Sequence, residues 1–307
     1  MITDLSIISE GITVRPISDK SIEAIDYNYI VSLFENNGVI LFKGFDIRLD
    51  NISLFTDQYT ERYARPANRR TSKNKSIIRE ADYWEQSHKI VDMPLHSESS
   101  FAPSWPEVLW FFCTVPPNSG GETTICDGIS IWDKLSSTTK QFFLEQPLRY
   151  SLEIPVPPGF RKRPNKGKQP WIFPKPGISG YLDWDREVIS LQLLRYAVND
   201  SRFPNRLCFS NHLLAMLEDE TQIKQITMAN GDLISDDIFS EIKEVSNTLI
   251  VDHNWASGDL IMLDNIRFMH GRRMFAQNDP RKILIIETER ASFSYGATTR
   301  KQTHSHK

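Results

Sequence analysis

From residue 106 onward the chain is a succession of short apolar runs separated by proline, glycine and polar residues, the spacing of strands and turns. PEVLWFFCTVPPNSGGETTICDG supplies a strand, a PPNSGG turn and a second strand. LRYSLEI (148–154), RLCFSN (206–211), the Asp259–Asp264 run and KILIIET (282–288) extend the series. Residues 155–182, rich in Pro, Lys and Gly, predict a long loop or excursion. Two stretches follow a helical period instead. In Ser21–Asn37, Ile22, Ile25, Tyr29 and Leu33 fall near one face, and 130–146 (SIWDKLSSTTKQFFLEQ) also reads as a helix. Gly38 ends the first helix, and VILFKGF (39–45) is a buried strand after it. Many short strands with few helices give a mostly β chain with flanking helices, an antiparallel sandwich or jelly roll.

The basic, polar stretch 65–80 predicts a solvated loop, with a flap over a site as the sharper reading. Residues 298–307 form a polar tail. No repeat or low-complexity linker divides the 307 residues, so 1–307 reads as a single domain.

Composition narrows the function. Hydrophobic residues make up 40% of the chain and charged residues 24%, enough for one large core and too little charge for wholesale disorder. A net charge of −3 implies no basic face for nucleic acid. There is no glycine-rich phosphate loop, which removes most nucleotide-dependent chemistry. Cys113, Cys126 and Cys208 are sparse, odd in number and form no CxxC, which argues against disulfides or a cysteine zinc site. The first residues lack a basic segment followed by an apolar core, and no apolar run approaches membrane-spanning length, so a cytoplasmic protein with no membrane partner is expected.

Chemistry gathers in two places. In MPLHSESSFAP, His96 and Glu98 stand two apart, and on an extended segment both project to the same side, where they can grip one ion. In WASGDLIMLDNIRFMHGRRMF (255–275), a Gly-Asp turn feeds a buried strand and His270 follows. Two imidazoles and one carboxylate leave three coordination positions open, which suits Fe(II) that must bind a cosubstrate and O2. Arg281, eleven residues beyond His270, opens the KILIIET strand and offers a bidentate fork to a dicarboxylate's far end; Arg272 and Arg273 are its competitors. Thr123 can add a hydroxyl to the same carboxylate. His88, His212 and His253 read as structural, and His304 and His306 as part of the tail. Trp105, Trp110, Phe111 and Phe112 read as core, while Asp92, Ser99 and Phe101 flank the metal-type triad as candidate pocket residues.

PLHSESSFAPSWPEVLWFFCTVPPNSGGETTICDG, followed by W-x-x-GDLIMLDN-x-x-x-x-HGRR-x-F, resembles the taurine dioxygenase/clavaminate synthase-like superfamily of Fe(II)- and 2-oxoglutarate-dependent oxygenases. NGVILFKGF is similar to that family's opening strand, so the likeness runs from about residue 20 to 290. The resemblance implies a double-stranded β-helix (jelly roll), with His96, Glu98 and His270 on iron and Thr123 and Arg281 on 2-oxoglutarate. Glu98 stands where many members have Asp, which leans toward the clavaminate synthase branch. Where some members carry the arginine further along the last strand, this chain has Ile285 and Ile286. The expected reaction is hydroxylation of an unactivated C–H of a small molecule, an amino acid or an amino-acid-derived natural-product intermediate, free or carrier-bound. Desaturation or another oxidative outcome at the same site is the runner-up. A non-catalytic jelly-roll metal binder and a zinc hydrolase are the rivals from other classes, the second weakened by the absence of HExxH.

Overall fold

The computed structural model describes residues 6–8, 11–64, 79–80, 91–156, 167–170, 177–203, 205–217 and 223–293. An eight-stranded sheet runs in the order Ser6–Ile8, Gly11–Val14, Val39–Phe42, Leu260–Asp264, Val108–Val115, Lys282–Ala291, Thr60–Tyr63, with Arg79–Glu80 also paired to Lys282–Ala291. All of its pairings are antiparallel except that of Gly11–Val14 with Val39–Phe42.

Its central strands are apolar without interruption because water reaches neither face. Odd and even positions go to different partners, as a period of two requires. Ile40, Phe42, Val108, Trp110, Phe112, Leu260, Met262, Leu284 and Ile286 pack outward on helices Tyr27–Asn37 and Leu49–Gln58 through Ile30, Phe34, Ile52 and Phe55. Val39, Leu41, Leu109, Phe111, Ile261, Leu263, Ile283 and Ile285 pack inward with Ile125, Trp255 and Phe268. Those inner partners belong to or adjoin a four-stranded antiparallel sheet, ordered Val251–His253, Thr123–Asp127, Phe268–Arg272, Met93–His96. The two sheets face each other across a shared apolar layer, the expected jelly roll.

A third, five-stranded antiparallel sheet contains Lys168–Pro170, Ile178–Asp183, Val188–Arg195, Leu148–Pro155 and Ile223–Met228. Its apolar side packs with helices Gly128–Lys134, Ser137–Glu145 and Asp236–Asn247. Here, of the two readings of 155–182, the plain loop fails: two of its described segments are strands. The composition hid them, because Gly180, which reads as a breaker, is what permits close pairing; a Cβ there would collide with Ser190 backbone oxygen.

The first predicted helix is also shorter than its pattern. Ile22–Ala24 is a 3-10 turn, and Asp26 then caps a new start, its carboxylate accepting from Tyr29 N at 2.8 Å. Ile30 and Phe34 are the buried positions, with Tyr29 and Leu33 at the margin. Likewise 130–146 is two helices, because Ser136 caps Ser137–Glu145 through Thr139 N. The predicted core aromatics Trp105, Trp110, Phe111 and Phe112 are buried. The three cysteines are buried and unbridged. No helix among the described residues is long and apolar enough to cross a membrane.

Candidate active site

The four-stranded sheet brings the two histidines together by register. His270 lies directly opposite His96 on one side and Ile125 on the other, and directly opposed residues share a face. Arg272 and Thr123 form the next opposed pair, so they share that inner face too. The ring centroids of His96 and His270 are 4.4 Å apart, and Phe111 of the large sheet lies 5.1 Å from the His270 ring. Gly271 makes the close pairing possible. A Cβ there would collide with the Met93 carbonyl and stand 2.7 Å from Thr124 Oγ1.

Glu98 follows in the turn after Met93–His96. Its Oε2 is 3.6 Å from His96 Nε2 and 4.0 Å from His270 Nε2. One ligand atom from each of the three residues fits within 4.8 Å, with both imidazoles buried and the carboxylate partly open to water. His96 Nδ1 lies 3.0 Å from the Pro94 carbonyl, which can only accept, so Nδ1 carries the proton and Nε2 keeps its lone pair for an ion. Two neutral imidazole donors and an anionic oxygen suit a divalent transition metal, and they leave room for other ligands.

The turn that carries Glu98 is clamped by Asn265, which sequence reasoning passed over although it ends the LIMLDN motif. Asn265 Oδ1 accepts from Glu98 N at 2.8 Å, and Nδ2 donates to Glu98 O at 3.0 Å and Pro106 O at 2.8 Å. Asn265 O accepts from Ser97 Oγ at 2.6 Å, and Ser97 Oγ accepts from Trp105 Nε1 at 2.8 Å. One buried amide thus ties the metal-type turn to the end of strand Leu260–Asp264. Ser99, at φ 55°, donates to Glu98 Oε1 at 3.2 Å.

Thr123 is buried and accepts a hydrogen bond from Trp255 Nε1 at 3.0 Å. With that lone pair occupied, its own O–H is left to donate elsewhere. Arg281 precedes the last strand. Its Nε donates to Gly121 O at 2.8 Å, and its guanidinium stands over the Phe275 ring, centroid distance 5.2 Å. Gly121, two residues from Thr123, has φ +70°, and a Cβ on it would lie 2.8 Å from Arg281 Cδ. Arg272 is buried and stacks on Phe275 at 4.9 Å, so it shares the Arg281 neighbourhood. Arg273 points away, to Asp252 at 3.0 Å and Asp92 at 3.3 Å. Asp92 also accepts from Met274 N, which makes it a brace for this turn.

His212 is fully enclosed; burial and the neighbouring His96 ring lower its pKa to about 3, so it is neutral. Its ring centroid is 5.0 Å from His96 and 4.5 Å from Phe101, and it lies outside the three-residue donor set. His253 faces Asp259 at 3.5 Å, on the far side of Thr123. Burial would raise Asp259, but the adjacent His253 ring, the hydrogen bond from Ala256 N and the Lys43 charge lower it overall. His88, His304, His306, the tail and most of the 65–80 stretch lie outside the described residues.

Residues 13–286 match the taurine catabolism dioxygenase TauD, TfdA family, and the chain belongs to it. The class of enzyme follows: this is a dioxygenase of the iron- and 2-oxoglutarate-dependent kind, as the motifs implied, and the non-catalytic binder and the zinc hydrolase are set aside. A clavaminate synthase-like protein of Arabidopsis thaliana is 22% identical over 282 residues, spanning 84% of this chain and 83% of that protein. The 3-((Z)-2-isocyanoethenyl)-1H-indole synthase of Fischerella ambigua is 22% identical over 196 residues, 62% of this chain and 61% of that one. Among solved structures, AAD-2 in complex with Mn(II) and N-oxalylglycine shares the fold at TM-score 0.60 and 16% identity, over 96% of this chain and 99% of that one.

Proposed function

We propose that His96, Glu98 and His270 hold the Fe(II) of this dioxygenase, that Arg281 and Thr123 hold the far carboxylate of 2-oxoglutarate, and that the product is an alcohol. The substrate is a small molecule, an amino acid or an amino-acid-derived intermediate of specialised metabolism, free or tethered to a carrier protein. The enzyme works in the cytoplasm. The reading rests above all on the convergence of two buried imidazoles and one carboxylate within 4.8 Å.

Bound together, iron and 2-oxoglutarate activate O2, giving succinate, CO2 and the oxidising power to take hydrogen from an unactivated C–H. The protein does the rest. His96, proton on Nδ1, presents Nε2; Asn265 fixes the Glu98 turn; Trp255 turns the Thr123 hydroxyl toward the cosubstrate. Phe111, Ile125 and Phe268 make the inner face beside His270 apolar, while the Phe275 ring and Gly121 O position the Arg281 guanidinium.

A second outcome, desaturation, is favoured by one observation: the Fischerella relative is named for an ethenyl-bearing product. The test is succinate release coupled to product mass. A gain of one oxygen supports hydroxylation, and a loss of two hydrogens gives the desaturase. Anaerobic addition of Fe(II) and 2-oxoglutarate should raise a weak visible charge-transfer band; its absence overturns the iron assignment. Because Glu98 supplies a protein oxygen to the ion, molar chloride should yield no chlorinated product; one that appeared would remove Glu98 from the metal.

A further inference from the structure

Several buried polar side-chain atoms lack a hydrogen-bond partner, and four of them gather around one stretch of chain, residues 96–105. Ser100 Oγ and Ser104 Oγ lie within it. His212 Nδ1 belongs to a ring packed on His96 and Phe101. The fourth is Arg195 Nη1, at the end of strand Val188–Arg195.

Arg195 is the unusual member. Two other enclosed arginines sit against carboxylates: Arg202 on Asp264 at 2.8 Å and Arg267 on Asp127 at 2.6 Å. Among the described residues no carboxylate stands within ion-pair reach of Arg195. Its Nη2 donates to Ala102 O at 3.2 Å, and its guanidinium lies over the Trp105 ring at 4.8 Å. Burial lowers its pKa to about 10, with Tyr150 the one group that opposes the fall. It therefore remains a cation at neutral pH. The residue is half-buried, but the Nη1 end of its cation is closed to water and lacks a partner, which is costly unless an anion is supplied there.

Its place ties it to the active site. Trp105, on which it stacks, donates to Ser97, the residue between His96 and Glu98. Tyr150, which shares its electrostatic environment, accepts at its hydroxyl from His212 N at 3.4 Å. Arg195 is thus linked through Trp105 and Ser97 to the metal-type turn, and through Tyr150 to the His212 segment packed on His96.

Resting on the proposed function above, we propose that Arg195 anchors a carboxylate of the substrate, with the Ser100 and Ser104 hydroxyls and the His212 ring completing an anion subsite. One guanidinium with neutral hydroxyls balances one negative charge, and its planar edge matches a planar carboxylate. A phosphate dianion would need a second cation that the subsite lacks. The substrate class is therefore a monocarboxylate, its reacting C–H held beside the iron by the anchored end.

The same chemistry has a second source, the cosubstrate's own carboxylate, and the test separates the two. Wild type, Arg195→Met and Arg195→Lys are titrated anaerobically, with Fe(II), first with 2-oxoglutarate and then with the L-amino acids and their N-acetyl derivatives, each beside its carboxamide. Binding is read from the charge-transfer band and from tryptophan fluorescence, which Trp105 should report. In wild type at least one acid should bind about thirtyfold tighter than its amide. Arg195→Met should bind that acid and amide alike, Arg195→Lys should keep part of the preference, and 2-oxoglutarate binding should not change. No acid preferred over its amide in wild type overturns the proposal, as does a preference that survives in Arg195→Met. Loss of 2-oxoglutarate binding instead gives Arg195 to the cosubstrate. Arg195→Met should melt at or above the wild-type temperature, since it removes an uncompensated charge; a fall of several degrees makes Arg195 structural. If the band fails to form in wild type, the iron assignment has failed, and fluorescence on metal-free protein still decides the acid–amide comparison.

Discussion

The eight-stranded and four-stranded sheets lie face to face, yet the second buries polar residues among its apolar ones where the central strands of the first are almost wholly apolar. The central strands of the large sheet bury Val, Ile, Leu, Met, Phe, Cys and Trp on both sides. The small sheet and the turn after it bury His96, Ser97, Thr123, Thr124, Asp127, His270 and Arg272. Apolar burial stabilises by roughly 25 cal/mol per Å2, whereas a buried polar group left unsatisfied costs about 1–3 kcal/mol. The small sheet therefore gains less from apolar burial per residue than the large one. It is held in shape by what presses on it, chiefly Phe111 against His270 and Asn265 against the Glu98 turn. The large sheet is the anvil on which a polar, chemically useful layer is kept in register.

This contrast can be broken most sharply at the metal-type residues. His96→Ala or His270→Ala should reduce succinate formation by more than about 100-fold, because even outer partners of a metal site cost 10–100-fold. Far-UV circular dichroism should be unchanged, since the apolar layer is untouched. Turnover close to wild type in either variant would separate the chemistry from the small sheet altogether.

Asn265→Ala attacks the joint between the sheets. It strands Glu98 N together with the Glu98 and Pro106 carbonyls, so a loss of about 2–4 kcal/mol in denaturant unfolding is expected, with weaker Fe(II) binding. Asn265→Asp keeps the acceptor for Glu98 N and should lose less. An unfolding midpoint equal to wild type would show that the clamp carries no load.

Arg281→Ala should raise the KM for 2-oxoglutarate about 10–100-fold, the worth of a charge-assisted bidentate contact of about 1.5–3 kcal/mol. Arg273→Ala, whose partners Asp252 and Asp92 lie on the surface, should leave that KM alone. If the effect appears instead in Arg272→Ala, the anchor is the other arginine that stacks on Phe275.

The smallest effect should come from Trp255→Phe, which keeps the ring and removes the indole N–H from Thr123 Oγ1. A KM for 2-oxoglutarate raised about three- to tenfold is expected, equivalent to one net hydrogen bond of about 0.5–1.5 kcal/mol. If Thr123→Val raises it equally and the double variant adds nothing further, the two act as a pair.

How legible this was in the sequence depended on which atoms carried each role. The apolar runs of the large sheet were plain because burial on both faces demands them. The convergence of His96, Glu98 and His270 could be read because the proposed role lies in their side chains and their setting is a long motif. Asn265 was not, since it works on backbone carbonyls and amides that no side-chain pattern records; in LIMLDN it looks like the turn residue that it also is. Arg195 was hidden for a different reason. It closes a strand next to a stretch whose Pro, Lys and Gly content reads as loop, and an arginine there is taken for a solvated one. The helix boundaries at Asp26 and Ser136 failed because the apolar period continues across them while the capping hydrogen bonds interrupt the backbone.

Gly271 has a consequence for how this active site can change. The lone hydrogen at that position lets the His270 strand sit close against Met93–His96, so the spacing of the two imidazoles is set by backbone packing more than by the histidines themselves. A single methyl group at 271 would act as a wedge, prising apart two donors that it never touches. The bite of the proposed metal site is thus encoded one residue away from His270, and a search for variants that accept a larger ion should begin at that neighbour.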